Sequence, residues 1–472
     1  MVKNRLILKL TLIAGATLFL ISYINSQDYL KGSSKFEKNG WVFLHLEGPP
    51  YNIGYQHGFL LASEIKDAID AVSFYAEKVS KKDWKFFRNT AEKIYWPKVP
   101  EEYRQEIMGI ADGMRDKGIE RIKWEDILAL NSWIETAWYY IPSIEKKKKV
   151  ENKSFLPFGS CSAFIATGDA TKDNKIVMAH NTWIDYFTGM PFNIIVDLKP
   201  EKGNRILMQS YAGFIHSGSD FYINSAGLMV TETTITGFEN IDPSKTPEFV
   251  RVRKAIQYAS SIDEWIKIIL EDNNGGYANG WLIGDVKTGE IARLELGLKN
   301  HKIWRTNNGY YAGSNIALDD KVRQETKFNY EDSSTSPYSR YQRWEALLKE
   351  NYGKIDIDLA KKYLGDHYDT FLKKEIPSAR TLCGHIEEDP KGEPAWKKPP
   401  FYPEGAMDGK VADSDLARKM AIWAHWGHPC GKDFIAQKFI EEHKDFSWQK
   451  DFLKDLKAMG WVVFTIKEEN IQ

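Results

Sequence analysis

Gly159-Ser160-Cys161-Ser162-Ala163-Phe164-Ile165-Ala166, followed after a turn by Ile176-Val177-Met178-Ala179-His180-Asn181-Thr182-Trp183, marks the point where the chain changes texture. From Cys161 onward the apolar residues alternate with a period of two, the pattern of strands rather than helices. The turn residues between Asp169 and Lys175 join the two runs, and such short connections mean hairpins and an antiparallel sheet. Just upstream lie a charge run over residues 145–149, then Asn152-Lys153-Ser154 and Pro157-Phe158-Gly159-Ser160, the composition of a solvated linker.

Working outward, a strand over residues 41–46 and the turn Gly48-Pro49-Pro50 precede a mostly helical first third. Leu60, Leu61, Ile65, Ile69 and Val72 recur at helical spacing, and helical pattern continues over residues 103–113 and 124–140. Downstream of the first hairpin, strands are expected at 192–198, 205–211 and 228–235, and helices at 248–259 and 263–272. Further strands follow at 280–284, 290–296, 302–306 and 310–312. The last part reads as helical, at 338–352, 356–364, 414–423 and 434–443. Strands, then helices, then strands give an α+β class. The expected architecture is an αββα sandwich of two antiparallel sheets, with a helical segment before Cys161 and a helical C-terminal extension.

The length of 472 residues suits one large domain or two smaller ones, and the formal net charge of -1 gives no basis for a nucleic-acid partner or an acidic membrane surface. The many aromatic residues favour a large core over a lipid-contacting surface. Lys3, Arg5 and Lys9 precede an uncharged run over residues 10–27, the order of an export signal. Ser22 and Ser26 are imperfect cleavage sites, and the run is also long enough to stay as an anchor, since spanning takes about 20 apolar residues. A removed signal and a retained anchor both place the body of the protein outside the cytosol, in a secreted, periplasmic or lumenal location.

Three cysteines are present, and in an exported protein an odd count leaves a free reactive thiol or an intermolecular bridge. One parity solution pairs Cys383 with Cys430 and frees Cys161. Cys383-Gly384-His385 and His425-Trp426-Gly427-His428-Pro429-Cys430 hold five potential metal ligands, but without CxxC or HExxH spacing, so no metal and no cofactor is expected. Asn273-Asn274-Gly275-Gly276 lacks the lysine of a phosphate loop and reads as a turn.

A cysteine attacks a carbonyl only as thiolate, and its ordinary pKa of about 8.5 calls for a base. Cutting the bond between Ser160 and Cys161 would free an α-amine, with a pKa of about 7.7–8.0, on the same residue as the sulfur. One residue then supplies both nucleophile and base. Gly159 lets the Ser160 carbonyl be presented to the thiol.

Gly159 to Phe164 together with His180-Asn181-Thr182-Trp183 resembles the start of the mature chain of the phospholipase B-like proteins, N-terminal nucleophile hydrolases related to acyltransferase-type self-processing peptidases. Glu47-Gly48, Gly54-Tyr55-Gln56-His57-Gly58 and Ile110-Ala111-Asp112-Gly113 are similar to the propeptide region of the acyltransferase-type group. Gly227-Leu228-Met229-Val230-Thr231-Glu232-Thr233-Thr234 resembles a phospholipase B-like segment. The likeness extends from Trp41 and fades beyond Asn315. It implies Cys161 as nucleophile, His180 and Trp183 as pocket residues, and Thr234 as a polar side chain facing the sulfur. It also implies Asn315 as oxyanion donor and Arg380 as the arginine that steadies charge.

Implied with these are a signal or anchor at 1–27, a pro-chain at 28–160 that stays packed on the rest, and a catalytic part at 161–472. The activity implied is deacylation of a phospholipid or other fatty-acyl compound. An amidase or acyltransferase acting on N-acyl amino acid, bile-salt-like or penicillin-type substrates keeps the same nucleophile. A non-enzymatic surface protein of this fold predicts instead an unprocessed chain and an inert Cys161.

Overall fold

The computed structural model describes residues 28–147 and 161–466; the signal or anchor expected at 1–27 and the expected cleavage site at Ser160 lie outside the described residues. In chain order come β1 (Ser34–Lys38) and β2 (Trp41–Gly48), then α1 (Pro50–Leu60), α2 (Ala62–Ser80), α3 (Glu101–Asp116) and α4 (Trp124–Asn131). The next strands are β3 (Ser162–Gly168), β4 (Asn174–Asn181), β5 (Trp183–Asp185), β6 (Ile194–Pro200), β7 (Ile206–Ser210), β8 (Phe221–Asn224) and β9 (Leu228–Thr234). Helices α5 (Glu248–Tyr258) and α6 (Ile262–Leu270) precede β10 (Asn279–Asp285), β11 (Glu290–Leu296), β12 (His301–Thr306) and β13 (Gly309–Gly313). Then follow α7 (Ser336–Glu350), α8 (Ile357–Leu364), the short β14 (Tyr368–Asp369), β15 (Lys374–Glu375) and β16 (Glu404–Ala406), and finally β17 (Asp408–Asp413), β18 (Ala421–Trp426) and β19 (Trp461–Thr465).

Two large sheets result, in the orders β1-β2-β6-β7-β8-β9-β10-β11-β12 and β13-β3-β4-β17-β18-β19. They lie face to face. A methyl group on Gly284 of β10 would sit 3.0 Å from Ile165 of β3 and 3.1 Å from Ile176 of β4. The period-two pattern sorts the core: Ile165, Ile176 and Met178 join the main core, which includes Leu282 and Ile283 of β10. Phe164, Ala166, Val177 and Ala179 point the other way, into a second core built with Trp344 and Leu348 of α7 and Leu364 of α8. On the nine-stranded sheet, Trp265 of α6 meets Trp281 of β10 edge-on, with centroids 5.0 Å apart.

Two expectations need correcting. The larger sheet is mixed rather than antiparallel, because β2 runs parallel to β6. The strand expected at 41–46 is present as β2, an interior strand flanked by β1 and β6 that ties the otherwise mostly helical segment before Cys161 into this sheet. The C-terminal part is not a helical extension: residues 414–423 divide into a one-turn helix, Ser414–Arg418, and the start of β18, and β17, β18 and β19 complete the second sheet. Among the described residues no helix is long and apolar enough to cross a membrane.

The Gly54 and Gly58 pair on α1 faces Gly109 and Gly113 on α3. A methyl group on Gly54 or Gly58 would stand 1.9 Å from the carbonyl oxygen of Glu106 or Ile110, so only glycine allows the two backbones to cross this closely.

Candidate active site

Cys161 immediately precedes β3 and is 3% exposed. Its backbone is held by Arg340 of α7, a fully buried side chain. Nη1 of Arg340 donates to the Cys161 carbonyl at 2.7 Å and to Ser162 Oγ at 2.8 Å. Nη2 donates to Asn315 Oδ1 at 2.7 Å, and Nε to Ser336 Oγ at 2.8 Å. The guanidinium lies over the Trp183 ring, 4.4 Å from its centroid. Burial draws the Arg340 pKa down to about 9.

Cross-strand register brings the next groups. Ala163 pairs with His180, and His180 with Lys410, so the imidazole and the ammonium share one face of the smaller sheet. Lys410 Nζ donates to Thr182 Oγ1 (2.6 Å), Gln209 Oε1 (2.5 Å) and Asp408 Oδ1 (2.7 Å). Gln209 Nε2 in turn donates to Asp408 Oδ2 at 2.6 Å. His180 stands apart from this closed network. It is fully buried, and neither ring nitrogen has a hydrogen-bond partner among the described residues.

Glu232 of β9 completes the cluster. One donor atom each of Cys161, His180 and Glu232 lie within 4.8 Å of one another, close enough to share a proton, a substrate atom or a cation. Burial, with the Glu232 carboxyl beside it, pushes the Cys161 thiol up. Burial and then the Lys410 charge hold His180 well below the ordinary imidazole range, so it is neutral. Burial, together with Asp220 and Glu248, raises Glu232 well above the ordinary carboxyl range, and it keeps its proton. A protonated thiol, a neutral imidazole and a protonated carboxyl therefore meet at one point.

The residues expected from sequence divide in two. Cys161 and His180 meet directly. Trp183 is fully buried beneath Arg340, with its indole N–H donating to the Leu382 carbonyl at 3.3 Å. Asn315, in the left-handed region with φ 68°, accepts from Arg340 and donates through Nδ2 to the Thr234 carbonyl at 2.8 Å. The Thr234 hydroxyl is buried and without a partner among the described residues.

Arg380 is not part of the cluster. Its Nε donates to Asp369 Oδ2 at 2.9 Å, and its Nη2 lies 3.0 Å from Asp389 Oδ2, so two carboxylates already neutralise it. The arginine at Cys161 is Arg340. Nothing in the sequence marked it beyond its place in a helical stretch, nor Lys410, Asp408 and Gln209. Glu232 lay inside a recognised segment without being singled out.

The expected Cys383–Cys430 bridge is also absent, because both residues are free thiols. Each sulfur instead lies 3.6 Å from Nε2 of His385, which stands between them.

The Phospholipase B family profile matches residues 35–343, more than half of the chain and inclusive of Cys161, His180, Glu232 and Arg340. An uncharacterised protein of Archaeoglobus fulgidus is 24% identical over 69% of this chain and 58% of its own length. Phospholipase B of Crotalus adamanteus is 27% identical over 61% of this chain and 55% of its own, and human phospholipase B-like 1 is 27% identical over 60% and 55%. The chain thus spans little more than half the length of these relatives. On the extent of the family match, the chain belongs to the phospholipase B family.

Proposed function

We propose that this protein is an exported, self-processing cysteine hydrolase with the N-terminal nucleophile fold, deacylating fatty-acyl ester lipids. The observation that carries the reading is the meeting of Cys161 Sγ with an unpartnered neutral His180 and Glu232 at the very start of a strand.

In the first step Cys161 Sγ attacks the Ser160 carbonyl carbon. The C–N bond breaks, the nitrogen leaves as the Cys161 amine, and water then cleaves the thioester to give a Ser160 carboxylate. The boundary falls between residues 28–160 and 161–472. The two pieces stay together because β2 remains an interior strand beside β6.

In turnover the freed amine takes the thiol proton, which answers the raised pKa of the buried sulfur. The thiolate attacks the ester carbonyl, the alcohol leaves, and water releases the fatty acid. We assign the oxyanion to Asn315, whose amide Arg340 and the Thr234 carbonyl orient. His180 holds or passes the proton, and Trp183 with Thr234 lines the pocket. The names of the relatives support a lipid ester over an amide.

Intact-mass analysis of wild type and Cys161→Ala after mild acidification tests the first step. Two fragments, one beginning at Cys161, are expected from the wild type alone. Phosphatidylcholine and N-acyl amino acids, offered to the processed protein, test the second, and turnover of the amide only would overturn the lipid assignment.

A further inference from the structure

A second cluster lies outside the Cys161 site. His367 follows α8, Cys383 and His385 lie on the loop after β15, and Cys430 follows β18. One imidazole nitrogen from each histidine and both sulfurs lie within 4.8 Å of one another. The His367 and His385 rings stand nearly perpendicular, at 72° with centroids 5.1 Å apart.

Hydrogen bonding among these groups leaves the cluster incomplete. His385 Nδ1 faces Glu387 Oε1 at 2.8 Å, which turns Nε2 toward the cysteines. Both sulfurs approach that one nitrogen, each at 3.6 Å. A single ring nitrogen is thus shared by two sulfurs, and Nε2 of His367 is buried with no partner among the described residues. A cation at the centre satisfies all four groups together.

We propose that His367, Cys383, His385 and Cys430 bind one zinc ion that is structural rather than catalytic. Tetrahedral zinc with Zn–S of about 2.3 Å and Zn–N of about 2.0–2.1 Å separates a sulfur from a nitrogen by about 3.6 Å. Both sulfur–nitrogen distances at His385 have this value. On binding, the two thiols release their protons, and two thiolates neutralise the dication, which suits a buried site. Glu387 behind His385 supplies the outer carboxylate that orients a ligating imidazole. The sequence offered Cys383, His385 and Cys430 among its possible ligands, but their spacing fits no zinc motif and His367 comes from a third segment.

The ion would join those three segments beneath Trp183. The Leu382 carbonyl accepts from Asn181 Nδ2 at 2.8 Å and from the Trp183 indole, and a methyl group on Gly384 would lie 1.7 Å from the Trp183 ring. Zinc on this loop thus fixes the floor on which Trp183 and Arg340 rest.

Elemental analysis of the full chain carrying Cys161→Ala separates the question from self-cleavage. One equivalent of zinc is expected, falling at least tenfold in Cys430→Ser and in His367→Gln, the latter at a half-buried position that preserves the thiols. Cobalt exchanged into the unaltered chain should show tetrahedral d–d absorption and thiolate-to-cobalt charge transfer. A metal-free protein with a Cys383–Cys430 disulfide in non-reducing peptide mass spectra would overturn the proposal, as would full zinc retention in both variants.

Discussion

Replacing Arg340 with lysine distinguishes the arginine that holds Cys161 from Arg380, the one suggested by sequence likeness. Arg340 reaches the Cys161 carbonyl and Ser162 Oγ with one terminal nitrogen and Asn315 Oδ1 with the other. A lysine ammonium is a single point with three donors and cannot occupy both places. At least two charged hydrogen bonds are lost, at roughly 1.5–3 kcal/mol each, or about 3–6 kcal/mol together. If that loss falls on the position of the thiol and of Asn315, the proposed self-cleavage should slow by about 10²–10⁴-fold. The assay follows conversion of full-length chain to fragments by intact mass, with the thermal midpoint recorded to show that Arg340→Lys is folded. Arg380→Lys, which disturbs only the pairs with Asp369 and Asp389, should lower the melting temperature and leave cleavage within a few-fold of wild type. Wild-type cleavage by Arg340→Lys, or loss of cleavage by Arg380→Lys with unchanged melting, refutes the assignment.

Gly384→Ala places a methyl group 1.7 Å from the Trp183 ring, and moving that ring should quench self-cleavage and shift tryptophan emission, at an overpacking cost of about 1–3 kcal/mol or more. Gly58→Ala meets the Ile110 carbonyl at 1.9 Å and should unseat α1 from α3, giving little soluble protein on expression. Glu232 binds a proton in the folded state that it loses when unfolded above about pH 4.3, so its stabilisation is full below that pH and drains away as pH rises. Glu232→Gln, in the uncleaved Cys161→Ala chain, should therefore flatten the decline in denaturant stability between pH 5 and 8 by up to about 1.4 kcal/mol per pH unit, and an unchanged slope would refute the protonated carboxyl.

Local signals were legible and distant ones were not. The β3–β4 hairpin, with Cys161 just before its first strand, was legible because alternation and turn residues act within one short stretch. Residues 414–423 were misread because Leu416, Ala417, Met420 and Ala421 fit a helical period, and the capped turn from Ser414 is indeed helical. What turns the next residues into β18 is pairing with β17 and β19, which no local window contains. Arg340 carried no mark because its role depends on where α7 meets the start of β3. Gly54, Gly58 and Gly113 were noticed as motif residues and Gly109 was not, and the reason for all four is the close crossing of two helices.

The contrast between two neighbouring polar groups bears on whether Cys161 is catalytic or merely a buried thiol. Lys410, Asp408, Gln209 and Thr182 satisfy one another, so their burial is matched by hydrogen bonds. His180 Nδ1, His180 Nε2 and Glu232 Oε1 have no partners among the described residues, although buried polar atoms are paired in the great majority of cases. Each such atom costs about 1–3 kcal/mol, and both residues stand beside the thiol. A fold shaped for stability alone would place apolar side chains there; one that reserves donors and acceptors for a substrate would accept the loss. His180→Leu in the Cys161→Ala chain should thus gain about 1–2 kcal/mol in denaturant unfolding, the two unmet nitrogens outweighing the small change in shape. The same substitution in the active chain should abolish ester turnover. A destabilised His180→Leu that still hydrolyses lipid would mean that the imidazole serves packing and that the proton at Cys161 is handled by another group.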